Sequence, residues 1–68
     1  MGVKMRIGQQ IEQIRQKQNI PIFHMCDVFM VECEADYHSI KNGHVRPTNF
    51  QLIMFIVVTQ CSLDLKAV

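Results

Sequence analysis

The segment FQLIMFIVVT, Phe50 to Thr59, is apolar on almost every side it could present to its surroundings. Its unbroken run, Leu52 to Val58, is far shorter than the ~20 residues a membrane-spanning helix requires, which predicts burial within protein rather than lipid. Its β-branched and aromatic residues would also suit a buried strand. Length, and a cap at Thr48 or Asn49, favour a helix over about 49–59. On that helix one stripe holds Leu52, Phe55, Ile56 and Thr59, while Phe50, Ile53, Val57 and Val58 cover other faces. A helix that is apolar all round has to be buried all round. A chain of 68 residues buries only about 60% of its unfolded surface and has room for one core, which covers one such face. The remainder predicts a partner surface, most simply a twofold homodimer through Phe50, Ile53, Val57 and Val58. A C-terminal turn through Leu63 and Leu65 that folds back over the helix is the alternative.

The rest of the chain also reads as helices, giving an all-α domain of four to five helices. Ile7, Ile11 and Ile14 recur at helical spacing and place a first helix near 5–18, stopped by Asn19, which tolerates positive φ. Pro21 suits the first turn of a second helix near 21–29, with Ile22, Met25, Cys26 and Phe29 inward. Met30 and Val31 belong to a turn. A third helix near 34–42 carries Glu34 and Asp36 in its first turn, where carboxylates complement the helix dipole, and turns Tyr37 and Ile40 to the core. Asn42-Gly43 is its stop, and 44–47 a loop. A short fifth helix near 63–67 follows Ser62. No linker or repeat divides the single domain, 1–68.

Composition excludes several chemistries. Three cysteines, Cys26, Cys33 and Cys61, lack the density and spacing of a secreted disulfide scaffold, and the amphipathic start is no signal peptide, so a cytoplasmic setting is expected. With His38 these thiols supply zinc-ligand types, but no C-x-x-C pair exists and Cys26 lies on an inward stripe, so neither a metal nor another cofactor is expected. His24 is two positions from Cys26 and cannot face it on a helix. With no paired carboxylates, nucleophile elbow or phosphate loop, the chain reads as a non-enzyme without a small-molecule substrate or a membrane partner. Net charge is only +1, but it is unevenly spread: Lys4, Arg6, Arg15 and Lys17 load the first segment, Lys41, His44 and Arg46 the middle, and Glu32, Glu34 and Asp36 form an acidic knot between.

Three stretches resemble a known family. RIGQQIEQIRQKQNI is similar to a first helix of the form I-G-x-x-I-x-x-[IL]-R, IKNGHVRPT to I-x-N-G-x-x-x-P-[ST], and CSLDL to V-S-L-D-x-L. Together they frame Ile7 to Leu65 and resemble the lambda repressor and Cro-type domain of the xenobiotic response element family. The resemblance implies a helix-turn-helix DNA-binding fold and a bacterial or phage transcriptional regulator of double-stranded DNA, with the third helix in the major groove. Carried over by position, Glu34, Ala35, His38 and Ser39 would face the groove, with His38 and Ser39 the base-edge readers. Lys41, Asn42, His44 and Arg46 would meet the sugar-phosphate backbone, and Arg6 or Lys4 could add a distant phosphate contact.

The middle of the chain departs from that pattern. Pro21-Ile22 stands where the family places Ser-Gln, one extra residue separates Phe29 from Ile40, and the third helix opens Cys33-Glu34-Ala35-Asp36. Carboxylates repel a phosphate backbone unless they accept from a base such as cytosine N4. These departures, with the apolar fourth helix, define the rival expectation: an interaction or oligomerisation module that keeps the fold and has lost DNA recognition.

Overall fold

A computed structural model describes residues 6–64 and is all-helical, with no strand among them. The four helices are α1 (Ile7–Lys17), α2 (Ile22–Phe29), α3 (Glu34–Lys41) and α4 (Asn49–Thr59). Helix α2 packs on both α3 and α4, and α1 packs on α3.

Each helix stops on a residue in the left-handed region: Asn19, Met30, Gly43 and Gln60. At the end of α1, Ile20 N–H donates to Arg15 O and Asn19 N–H to Gln16 O; at the end of α3, His44 N–H donates to Ser39 O and Gly43 N–H to Ile40 O. Both are Schellman closures, which satisfy carbonyls the helix leaves open. The start of α4 is equally well defined: Thr48 Oγ1 accepts from Gln51 N–H (3.1 Å), and Gln51 Oε1 accepts from Thr48 N–H (2.8 Å). That reciprocal cap outweighs the strand propensity of FQLIMFIVVT, and no described segment is available to pair with a strand.

The core is centred on three aromatics. The Phe29 ring lies 6.1 Å from Tyr37 and 5.7 Å from Phe55, and all three side chains are fully buried with Ile11 and Met25. Cys26, Val28, Ile40 and Leu52 complete it, and Ile7, Ile14, Ile20, Ile22 and Leu63 pack around its edge. Helix α1 reaches α3 through Gly8. A Cβ there would lie 2.4 Å from Lys41 O and 2.5 Å from Ile40 O, so only glycine allows this backbone-on-backbone approach.

The expected fifth helix needs correction at its start and is otherwise outside the described residues. Leu63 and Asp64 are not helical. Asp64 instead pairs with a side chain of α1, its N–H donating to Gln10 Oε1 (2.8 Å) and its carbonyl accepting from Gln10 Nε2 (3.1 Å). Two further glutamines cap carbonyls at helix ends: Gln51 Nε2 donates to Phe29 O, and Gln18 Nε2 to Thr59 O.

Tyr37 is also polar at its tip. Its hydroxyl donates to Glu12 Oε1 (2.7 Å), while Arg15 grips both oxygens of the same carboxylate (2.8 and 2.6 Å) and donates to Ile20 O. Gln16 adds a fourth donor to Glu12. The Arg15 hydrogen bonds, helped by those of Tyr37 and Gln16 and opposed by burial, hold the Glu12 carboxyl at about 2. Burial, then the Glu12 hydrogen bond, pushes the Tyr37 phenol well above its ordinary range, so it remains a neutral donor. A carboxyl depressed by folding stabilises above its unfolded value of 4.5 and loses that contribution as pH falls toward 2. The urea midpoint is therefore expected to fall across that acidic window, and Glu12→Gln should flatten the decline while lowering stability at neutral pH by about 1–3 kcal/mol. An unchanged acid profile in Glu12→Gln would show that this carboxylate does not carry the effect.

Candidate nucleic-acid interface

Helix α3 is short and lies with one side on the core and one side outward. Tyr37 and Ile40 are buried, whereas Glu34, Ala35 and Asp36 are exposed and His38 and Ser39 half-buried. Of the four residues expected to face a groove, Glu34 and Ala35 are thus fully presented. His38 lies with its ring 5.9 Å from that of Tyr37, and Ser39 Oγ donates back to Ala35 O (3.1 Å), a common resting arrangement for a helical serine.

The residues after α3 are drawn together by its closure. Ser39 O accepts from both His44 N–H (2.9 Å) and Val45 N–H (3.2 Å), which folds the chain back over the last turn. Asn42, His44 and Arg46 are exposed there, and Lys41 is half-buried at the helix end. Gly43, at φ 83°, makes this reversal possible.

Arg6 joins this group. Expected from sequence only as a distant contact, it precedes α1, and the approach of Gly8 to α3 carries it alongside: its Nη1 lies 3.8 Å from where a Cβ on Gly43 would stand. One cleft is lined by Arg6, Gly8, Gln9, Lys41, Asn42 and Gly43, and an adjoining one by Arg6, Ile40, Val45, Arg46 and Pro47 with Ile7, Gly8 and Gly43. Residues 40 positions apart thereby form one basic edge around the end of α3. The signal available in sequence was Gly8 itself, since a glycine inside an amphipathic helix often marks close backbone approach. Lys4 lies outside the described residues.

The opposite end of α3 has a different character. Phe23 and Asp27 lie at i and i+4 on the outer face of α2, Met30 is its left-handed cap, and all three are exposed. Cys26 is buried on the inner side of the same helix, and desolvation first, with a smaller push from the negative charges of Glu34, Asp27 and Asp36, raises its thiol. Sequence reasoning singled out the acidic knot and missed Phe23, although the inward stripe of α2 already left Phe23 outside. Cys33 is exposed and Cys61 half-buried, its sulfur accepting from Gln18 Nε2. No three metal-ligating side chains converge among the described residues. Nor is any described helix long and apolar enough to cross a membrane. Comparison with family models, characterised proteins and solved structures gave no match.

Proposed function

We propose that the chain is a cytoplasmic transcriptional regulator of bacterial or phage origin that binds double-stranded DNA through a helix-turn-helix formed by α2 and α3 and acts by occupancy. One observation carries this reading: Arg6, Lys41, Asn42, His44 and Arg46 gather around the end of an outward helix. Cations and amide groups at the rim of a groove-sized helix are what docking on a duplex requires, because phosphate contacts supply register and much of the affinity. Base readout would fall to Ala35, His38 and Ser39, with Glu34 restricted to accepting from a base.

Fluorescence anisotropy against a pool of genomic duplexes tests the proposal. Affinity is expected to fall steeply with salt, and Arg46→Ala to weaken binding across sequences while lowering the log–log salt slope by about 1. Absent or salt-independent binding by the folded protein would overturn it.

The acidic end of α3 favours a second reading, a helix-turn-helix module that binds protein. Exposed Asp27, Glu34 and Asp36 repel a phosphate backbone, and with the exposed Phe23 and Met30 they suit a basic, partly apolar polypeptide. Under that reading the folded chain ignores duplex DNA at low salt, whereas an immobilised basic amphipathic peptide retains it and Phe23→Ser releases it.

A further inference from the structure

Asn42 and Gly43, which close α3, form a dipeptide with covalent chemistry of its own. The side-chain amide of an asparagine is open to attack by the main-chain nitrogen of the residue that follows, which closes a succinimide ring and expels ammonia. Glycine is the follower that hinders this least, because it has no Cβ. Asn19 and Asn49 precede Ile20 and Phe50, whose side chains crowd the corresponding nitrogen. Asn42 is exposed, so water and hydroxide reach it.

The folded backbone holds the reacting atoms apart. Viewed along the Cα–C bond of Asn42, ring closure needs the Gly43 nitrogen nearly eclipsed with Cβ. At ψ −1° it is eclipsed instead with the nitrogen of Asn42, about a third of a turn away from Cβ. Rotating it into place breaks the closure after α3. The Gly43 N–H leaves Ile40 O (3.1 Å), and the His44 and Val45 amides leave Ser39 O (2.9 and 3.2 Å). The hydrogen bond to Ile40 O also retains the proton that the nitrogen must shed before it attacks. The turn that has to yield is the one that packs directly on Gly8, with no side chain between.

We infer that Asn42 is a self-modification site latched by the fold: it deamidates only when the closure after α3 opens, and its isoaspartyl product then holds that closure open. The steps need only water as a co-reactant. Hydroxide removes the Gly43 amide proton, the nitrogen bonds to Cγ of Asn42, and the Cγ–Nδ2 bond breaks with release of ammonia. Water then opens the ring at either carbonyl. Attack at one gives aspartate, and attack at the other routes the main chain through Cβ as isoaspartate. Either product brings a carboxylate into the cleft that Arg6, Lys41 and Gly43 line and lowers the net charge of +1 by one unit. Isoaspartate also lengthens the backbone by one methylene, so the amides that follow no longer fall in register with the carbonyls of Ser39 and Ile40.

Mass spectrometry with peptide mapping of the full chain, incubated in mildly alkaline buffer, follows the exchange of amide for acid at Asn42. The reference is the peptide Ile40 to Thr48, which has the same neighbours and no tertiary contacts. The folded chain is expected to react more than about tenfold slower than the peptide, because only its open fraction reacts. Unfolding in urea should bring it to the peptide's rate in the same urea. Gly8→Ala, which crowds the last turn of α3, should speed the reaction of the folded chain. Conversion of the native chain as fast as the peptide overturns the inference, and so does a chain that stays slow in urea, or a Gly8→Ala variant slower than the native one. The isoaspartyl form, once separated, should have lost hydrogen-exchange protection at the His44 and Val45 amides. Protection retained there would overturn the claim that the product holds the closure open. None of these outcomes depends on whether the chain binds DNA.

Discussion

Phe29→Ala is expected to leave the protein largely unfolded at room temperature. Phe29 is fully buried between Tyr37 and Phe55, its ring nearly parallel to that of Phe55 at an interplanar angle of 8°, and it belongs to the helix that packs on both α3 and α4. Truncating a buried phenylalanine costs about 3–5 kcal/mol, through lost transfer energy and the cavity left behind. A domain of this size draws only roughly 3–5 kcal/mol from its core, so one substitution consumes nearly the whole margin. The far-ultraviolet helical signal should be mostly lost and its thermal transition abolished. Phe29→Leu, which keeps more of the volume, should melt cooperatively at reduced temperature. A Phe29→Ala protein melting within a few degrees of the native one would mean that the three rings do not form the centre of the core.

Gly8→Ala should also destabilise, against the usual trend for helices. At an exposed helical position the change would add about 0.5–1 kcal/mol of stability by restricting the unfolded chain. Here the new methyl group meets the carbonyl oxygens of Ile40 and Lys41, which are backbone atoms in the last turn of α3 and cannot rotate aside. Overpacking of this kind costs about 1–3 kcal/mol, and fixed backbone on both sides puts it at or above the top of that range. The net expectation is a loss of about 2 kcal/mol, or roughly 8–16 °C in melting temperature. A rise in melting temperature would mean that α1 and α3 stand farther apart than described.

The helices themselves were legible from short-range chemistry. The isoleucines of α1, the Asn19 and Gly43 stops and the Thr48 cap each act within one or two turns, and the structure places them where that chemistry requires. Met30 and Gln60 were not legible as left-handed stops, because neither side chain prefers that conformation and tertiary packing imposes it. The Glu12–Tyr37 hydrogen bond joins residues 25 apart, and the Gln10–Asp64 pair joins residues 54 apart. No local pattern encodes such partners. The same limit applied to the basic edge: Lys41, Asn42, His44 and Arg46 were readable as a cluster, but the addition of Arg6 depended on how α1 crosses α3. In α4 the periodicity put Leu52, Phe55 and Thr59 on what is the buried side and Phe50, Ile53, Val57 and Val58 on what is the exposed side, whereas Ile56, assigned to the first stripe, is only half-buried.

The way the chain is folded back after α3 bears on the thermodynamics of recognition. Segments such as 42–46 are ordinarily loose, and immobilising a loose strand on a ligand costs conformational entropy that subtracts from affinity. Here Gly43, His44 and Val45 are already tied to the preceding turn through their amides, and Gly8 leaves no compressible layer of side chains between that turn and the helix bearing Arg6. The charged edge is therefore preorganised at the level of the backbone. Under the proposed DNA-binding reading, what remains to be ordered on association is the rotamers of a few long side chains.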